Sequence, residues 1–301
     1  MNNATPKPTI RVGFVDYFAG LDDFFTDTLS RKFKIVRDDV KPDYLFFCDE
    51  TFGQKNLMFQ DPNTVRIFYT GENRRPHGRQ ADFAISFDHL SQSNHFRLPL
   101  YVIDYWMMVH YHAMDEIDRV MMTKQINGRH QIEQKTKFAA FISGNGACPQ
   151  RNKFFEVLSS QYKHVDAAGP LFNNIGYVLP RGLDAAAHKA SFLQPYKFNL
   201  CFENSSYPGY CTEKLFHALY MNTVPIYWGS PTVALDFNPD AFVHFSDDCD
   251  FGQMIEKVIW LDNDAAAYEK MFMTPWLTNN SAFDLDRFVN WFERRVYKFK
   301  G

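Results

Sequence analysis

KFNLCFENSSYPGYCTEKLFHALYMNTVPIYWG, residues 197–229, runs from an apolar strand through a Ser- and Gly-containing loop into a helix, and on to a second apolar strand. Strand, turn, helix and buried strand in that order make up the repeating unit of a doubly wound parallel sheet. In such a sheet the ligand crevice lies outside the carboxyl ends of the strands, and a helix that begins there points N–H groups at an anion. Thr212 has the residue type of an N-cap. Lys214 then falls in the first turn, where the helix dipole disfavours a cation unless an anion is bound beside it, so the pattern predicts a phosphate-bearing ligand. Glu213 is suited to accept hydrogen bonds from a sugar or ribose diol. Asn204 follows directly on the strand, where its amide can bond a ligand or the loop backbone. Tyr210 offers a ring and a hydroxyl. The plainer readings are a solvated helix start for Glu213 and Lys214 and core packing for Tyr210.

The same alternation extends outward. Upstream, TIRVGFVDYF, FKIV, DYLFFC, VRIFYTG and DFAISFD are short apolar runs bounded by Asp, Pro, Gly or Asn, with a helical pattern over residues 21–32. Residues 101–124 read as one helix, followed by the polar segment NGRHQIEQKTK, which suggests a boundary. A second α/β series opens at KFAAFISG and continues through a helix over 151–160, the strand KHVDAAG, the helix before residue 197, the strands VPIYWG and AFVHF, and a helix over 250–261. The expected division is 1–136, 137–275 and a terminal amphipathic helix within 276–301. FDLDRFVNWFERRVYKFKG places Phe, Val and Trp on one side and Arg and Lys on the other. That helix suits packing back across the domains, and its basic face suits peripheral contact with a membrane.

The chain has 301 residues, 46% hydrophobic and 22% charged, which excludes disordered, collagenous and coiled-coil classes. A formal charge of −3 argues against a nucleic-acid partner, which would require a strongly basic face. Its five Cys show no CxxC and no zinc spacing, and read as reduced thiols. The N-terminus has no signal-like block and no apolar run is long enough to span a membrane, so the expectation is a soluble, cytoplasmic protein. Phe is abundant, at 31 residues, and its ordinary use is core packing.

The segments FEN, GYCTEK and VPIYWGSP closely resemble the signature of the α1,3/α1,4-fucosyltransferases, glycosyltransferase family 10, particularly the soluble bacterial type. FISGNGACPQRNKFFEVL, VRIFYTGEN and DFAISFDHL extend the resemblance over most of the chain. It implies a GT-B architecture of two Rossmann-like domains facing a central cleft, with GDP-β-L-fucose in the C-terminal one and a glycan acceptor on the N-terminal one. Carried over by motif position, Arg151 and Lys214 neutralise the pyrophosphate, and Asn204, Tyr210 and Glu213 contact phosphate, ribose or fucose. Glu72, in YTGEN at the end of a strand, matches the family's proposed general base. Family members invert the anomeric centre, and two cations at the diphosphate imply that no metal cofactor is required, a divalent ion being at most stimulatory. The implied product is a Lewis-type glycan, with a lipopolysaccharide O-chain as natural acceptor and residence in the cytoplasm or peripheral to the inner membrane. The alternatives are a GT-B transferase for another nucleotide sugar and a bilobed nucleotide-sugar-binding protein without catalysis.

Several other features invite functional readings. Asn73 beside Glu72 could orient an acceptor or serve the turn. The loop GPLFNNIGYVL, residues 169–179, could approach the donor or be plain surface. Asp247, Asp248 and Asp250 look like a metal-binding acidic motif but suit helix capping better. His110 and His112 lack the helical spacing and third ligand of a zinc site. Cys211 stands where the family more usually has an aliphatic or small residue.

Overall fold

The computed structural model describes residues 6–180, 182, 185–245, 251–277 and 280–299. The chain forms two compact units, Met1–Met107 with Ser281–Gly301, and Met108–Asn280.

In the first unit β1 (Thr9–Val15), α1 (Leu21–Ser30), β2 (Lys34–Arg37), β3 (Tyr44–Phe47), β4 (Val65–Tyr69), β5 (Phe83–Ser86) and β6 (His95–Arg97) are followed by α2 (Leu100–His112). All the strands pair in parallel in the order β2-β1-β3-β4-β5-β6. The residues of β3 are all buried, as expected for a strand covered on both faces. Phe25 of α1 stacks on Phe46 of β3 at 4.6 Å, and Phe46 also stacks on Phe14 of β1 at 5.3 Å. The abundance of Phe is thus largely a matter of core packing.

The second unit contains α3 (Ile117–Glu133), β7 (Lys137–Phe141), α4 (Pro149–Gln161), β8 (Val165–Ala167), α5 (Ala185–Leu193), β9 (Tyr196–Phe202), α6 (Glu213–Tyr220), β10 (Val224–Trp228), β11 (Val243–His244), α7 (Phe251–Asn263) and α8 (Ala265–Met273). Its parallel sheet has the order β11-β10-β9-β7-β8. The chain leaves the interior strand β7 for β8 on one side and returns to β9 on the other. The carboxyl ends of β7 and β9 therefore flank the topological switch point, the usual ligand crevice of this sheet type.

Two expectations about the middle of the chain change. The single helix over 101–124 is two helices, broken where Ala113 adopts a left-handed φ of 49° and the Met114 N–H turns back to the Met108 carbonyl. The polar segment that suggested a boundary lies mostly inside α3, and the units divide at 107/108 rather than 136/137. Its packing face is disguised by composition. The Lys124 ammonium sits 4.4 Å from the centroid of the Phe272 ring, and Gly128 lies so close to Met273 that a Cβ there would come within 2.2 Å of the sulfur.

The terminal segment begins with α9 (Leu285–Trp291), and the following turn, Phe292–Val296, widens to π geometry. Its apolar side is spent within the first unit: Phe288 lies 5.5 Å from Phe25, Phe292 lies 5.3 Å from Tyr44, and Trp291 meets Phe83 edge-on at 5.8 Å. Arg294, Arg295 and Lys298 remain exposed. No helix among the described residues is long and apolar enough to cross a membrane.

Candidate functional site

At the switch point of the second unit, two helices start from adjacent strand ends and each carries a cation in its first turn. Pro149 opens α4, which puts Arg151 in the first turn after β7, and Lys214 is the second residue of α6. Both positions oppose the helix dipole.

Arg151 is only 1% exposed. Its Nη1 donates to Asn204 Oδ1 at 3.1 Å and to the Phe202 carbonyl at 3.3 Å, and its Nη2 donates to the Asn145 carbonyl. All these acceptors are neutral, and Nε has no partner. Among the described residues no carboxylate pairs with this guanidinium, and burial pulls its pKa below the usual value. A buried cation held only by neutral oxygens is a place prepared for an anion.

Lys214 differs. Its Nζ lies 3.0 Å from Glu203 Oε2 and 2.7 Å from Thr212 Oγ1, with Glu213 Oε1 at 3.9 Å. The anion that its position demands is thus already supplied in part by Glu203, which sequence reading passed over as the middle letter of FEN. Thr212 occupies the N-cap position but does not cap the helix with its side chain. Instead both its N–H and its hydroxyl donate to the Glu203 carboxylate, each at 2.7 Å. The signal that could have found Glu203 is a carboxylate closing an apolar strand with Thr and Lys nine and eleven residues on.

Asn204, half-buried, spends its side-chain oxygen on Arg151 and so aligns the cation. Glu213 is partly exposed. Burial pushes its carboxyl upward, but Lys214, Lys189 and His217 outweigh this and hold it at about 2. Lys189 Nζ and His217 Nδ1 are 2.8 Å apart beside it. Tyr210, expected to touch the ligand, is fully buried at 0% exposure, so its side chain faces the interior of the unit. Cys211 is buried beside it.

The Asn side chains of the loop over 169–179 bond the backbone of the loop itself and of β8. Asn173 Nδ2 donates to the carbonyls of Ala167, Gly169 and Tyr177, while Asn174 bonds both the Ala167 N–H and the Val165 carbonyl. The close approach that Gly169 permits is to the backbone of Ser143, 2.1 Å from where a Cβ would stand. Asp247, Asp248 and Asp250 lie outside the described residues. Among the described residues, no group of three His, Cys, Asp or Glu side chains is arranged to hold a metal.

In the first unit Glu72 follows β4 and is exposed. Its loop is fixed by Thr70, whose hydroxyl accepts from the Glu72 N–H and donates to the Glu72 carbonyl, both at 3.2 Å. Glu72 lines a cavity of about 260 Å³ shared with Phe18, Phe52, Asp49 and Asp104. The Asn73 Oδ1 accepts from Arg75, which is anchored in turn on the buried Asp88.

The profile described as "Glycosyltransferase family 10 (fucosyltransferase) C-term" matches residues 132–294, and "Alpha-(1,3)-fucosyltransferase FucT N-terminal domain" matches residues 11–105. The chain belongs to glycosyltransferase family 10. Within this family it is 34% identical over 256 residues to the alpha-(1,3)-fucosyltransferase FucT of Helicobacter pylori, covering 75% of this chain and 51% of that protein. It is 27% identical over 189 residues to an alpha-(1,4)-fucosyltransferase of Arabidopsis thaliana, covering 54% of this chain and 45% of the relative. The family 10 chain thus spans about half the length of these curated relatives. Crystal structures of an alpha1,3-fucosyltransferase with GDP and with GDP-fucose superpose with TM-scores of 0.77 and 0.74 at 26% identity, covering 98% and 97% of this chain and 92% of theirs. A UDP-N-acetylglucosamine 2-epimerase structure from Listeria monocytogenes, at 10% identity and a TM-score of 0.52, shares the fold alone. The architecture is of the GT-B class.

Proposed function

We propose that this chain is an inverting fucosyltransferase that moves L-fucose from GDP-β-L-fucose to the 3-hydroxyl of a GlcNAc or Glc unit in a β-galactoside acceptor. The observation that carries the reading is Arg151, a buried guanidinium whose hydrogen-bond acceptors are all neutral, at the sheet's switch point and in a helix's first turn. A diphosphate satisfies that charge.

In the proposed reaction the acceptor oxygen attacks C1 of fucose as its proton passes to the Glu72 carboxylate. The bond from C1 to the GDP oxygen breaks on the opposite face, its electron pair leaving with GDP, so a β-linked donor yields an α-fucoside. Negative charge grows on the departing phosphate, where Arg151 and Lys214 stabilise it, Asn204 keeps Arg151 aligned, and Glu213 accepts from donor hydroxyls. These cations stand where other transferases employ a divalent ion, and no metal is required. The products are Lewis-type glycans, with a lipopolysaccharide O-chain as natural acceptor.

A turnover panel with GDP-fucose, GDP-mannose and UDP-sugars, run with N-acetyllactosamine in the presence of EDTA, tests this reading. Transfer from GDP-fucose alone is expected. Preference for another donor would replace it with a different nucleotide-sugar transferase, and tight nucleotide binding without turnover would favour a non-catalytic binding protein.

A further inference from the structure

Glu203 is wholly buried, yet its carboxylate sits against the partly exposed Lys214 of α6. Its backbone N–H donates to the Trp228 carbonyl at 2.9 Å, tying the end of β9 to that of β10. Its side chain passes beneath Gly229, where a Cβ would come within 2.5 Å of Glu203 Cγ. From there it collects the Thr212 N–H, the Thr212 hydroxyl and the Lys214 ammonium. The titratable and charged groups facing it are Lys214 and Glu213 from α6, Cys201 from β9, Tyr227 from β10 and Arg151 from α4. Lys214 is the cation in direct contact. The Lys214 side chain is 24% exposed, while the carboxylate beneath it is 0% exposed.

That same ammonium is the one to which the proposed function assigns the diphosphate, and the inference rests on that reading. An ion pair with one buried and one accessible member is asymmetric: an incoming anion can reach the cation but not the carboxylate. A buried carboxylate whose cation is drawn away is left costly and unpaired, and it relieves that cost by binding a proton. We propose that Glu203 is a positioning residue of the donor site, holding Lys214 as resident counter-ion until a nucleoside diphosphate takes over the ammonium, whereupon Glu203 binds a proton from solvent. The bonds to Thr212 hold the first turn of α6 in both states, so the exchange needs no movement of the helix. Burial already pushes the Glu203 carboxyl upward, with Lys214 opposing it, so the lost contact acts in the same direction as burial.

Calorimetric titration of GDP-β-L-fucose in buffers of different ionisation enthalpy, from about pH 6 to about pH 9, reads the exchange directly. The diphosphate of this donor is a diester with no proton to exchange in that range, and below about pH 8 the guanine N1 keeps its proton, so a proton taken up there belongs to the protein. The wild-type protein should take up as much as about one proton per donor bound, with affinity falling by up to about tenfold per pH unit as pH rises between the free and bound pKa values of Glu203. Glu203→Gln and Lys214→Met should both lose the uptake, the first because no acid remains and the second because no counter-ion is exchanged. His217 persists in both variants, so uptake surviving in Glu203→Gln would assign the proton elsewhere and overturn the proposal. Donor affinity that is flat with pH in the wild-type protein also overturns it, whether or not the variants fold, while leaving the donor-site reading intact. A wild-type protein that binds no GDP-fucose overturns both.

Discussion

Arg151 Nη1 donates to Asn204 Oδ1 across 3.1 Å, joining the segment after β7 to the segment after β9 at the point where the strand order reverses. One contact thereby fixes both the buried cation and the loop that leads to Thr212 and Lys214.

If this guanidinium is the diphosphate ligand, Arg151→Ala should weaken GDP binding about tenfold to hundredfold, the range of a lost hydrogen bond between charged groups. Arg151→Lys should recover only part, because an ammonium keeps the charge but not the planar fork that reaches Asn204 and two carbonyls. Titration calorimetry of both variants checks this. Wild-type affinity in Arg151→Ala would remove the residue from the donor site.

Glu72→Gln separates base catalysis from binding. Turnover should fall by about 10²- to 10⁴-fold, the usual contribution of a general base. GDP affinity should stay within about twofold, because an interaction made only in the transition state lowers kcat without affecting ground-state binding. Steady-state kinetics beside a GDP titration reads both, and unchanged kcat would exclude Glu72 as the base.

Gly229→Ala tests the packing over Glu203. The added Cβ would lie 2.5 Å from Glu203 Cγ and 2.7 Å from the Tyr227 hydroxyl oxygen, both in the buried interior. Overpacking of this kind should cost about 1–3 kcal/mol in unfolding free energy, read by urea denaturation. A variant as stable as wild type would mean that the strand ends part without cost.

His95 makes stability dependent on pH in the mildly acidic range. Its Nε2 lies 2.9 Å from Ser86 Oγ, and burial holds its pKa at about 4, below the ordinary 6.5. The folded state therefore resists a proton that the unfolded chain accepts. The contribution is complete above about pH 6.5 and is lost as pH falls through about 4, a change on the order of 3 kcal/mol. His95→Gln should flatten the decline in urea midpoint across that window. An equally steep decline in the variant would assign it to other groups.

The parallel strands were legible because apolar runs such as DYLFFC and KFNLCF are short, continuous and bounded by turn residues. The start of α6 was legible because Thr, Glu and Lys follow a Gly-containing loop. What escaped depends on partners distant in sequence. Lys124 ends the expected helix and Gly128 lies in the polar segment after it, and only Phe272 and Met273 show that they form a packing face. The role of Glu203 requires Thr212, Lys214 and Gly229 together. Tyr210, whose place in the motif suggests ligand contact, has its ring buried inside the unit.

Fucose transfer itself tests the central claim most directly. GDP-β-L-fucose and N-acetyllactosamine are incubated with the protein and the product linkage is assigned by NMR. An α-anomeric fucose on the 3-hydroxyl of GlcNAc is predicted. A β-linked product, or no transfer in a protein that binds GDP, would contradict the account.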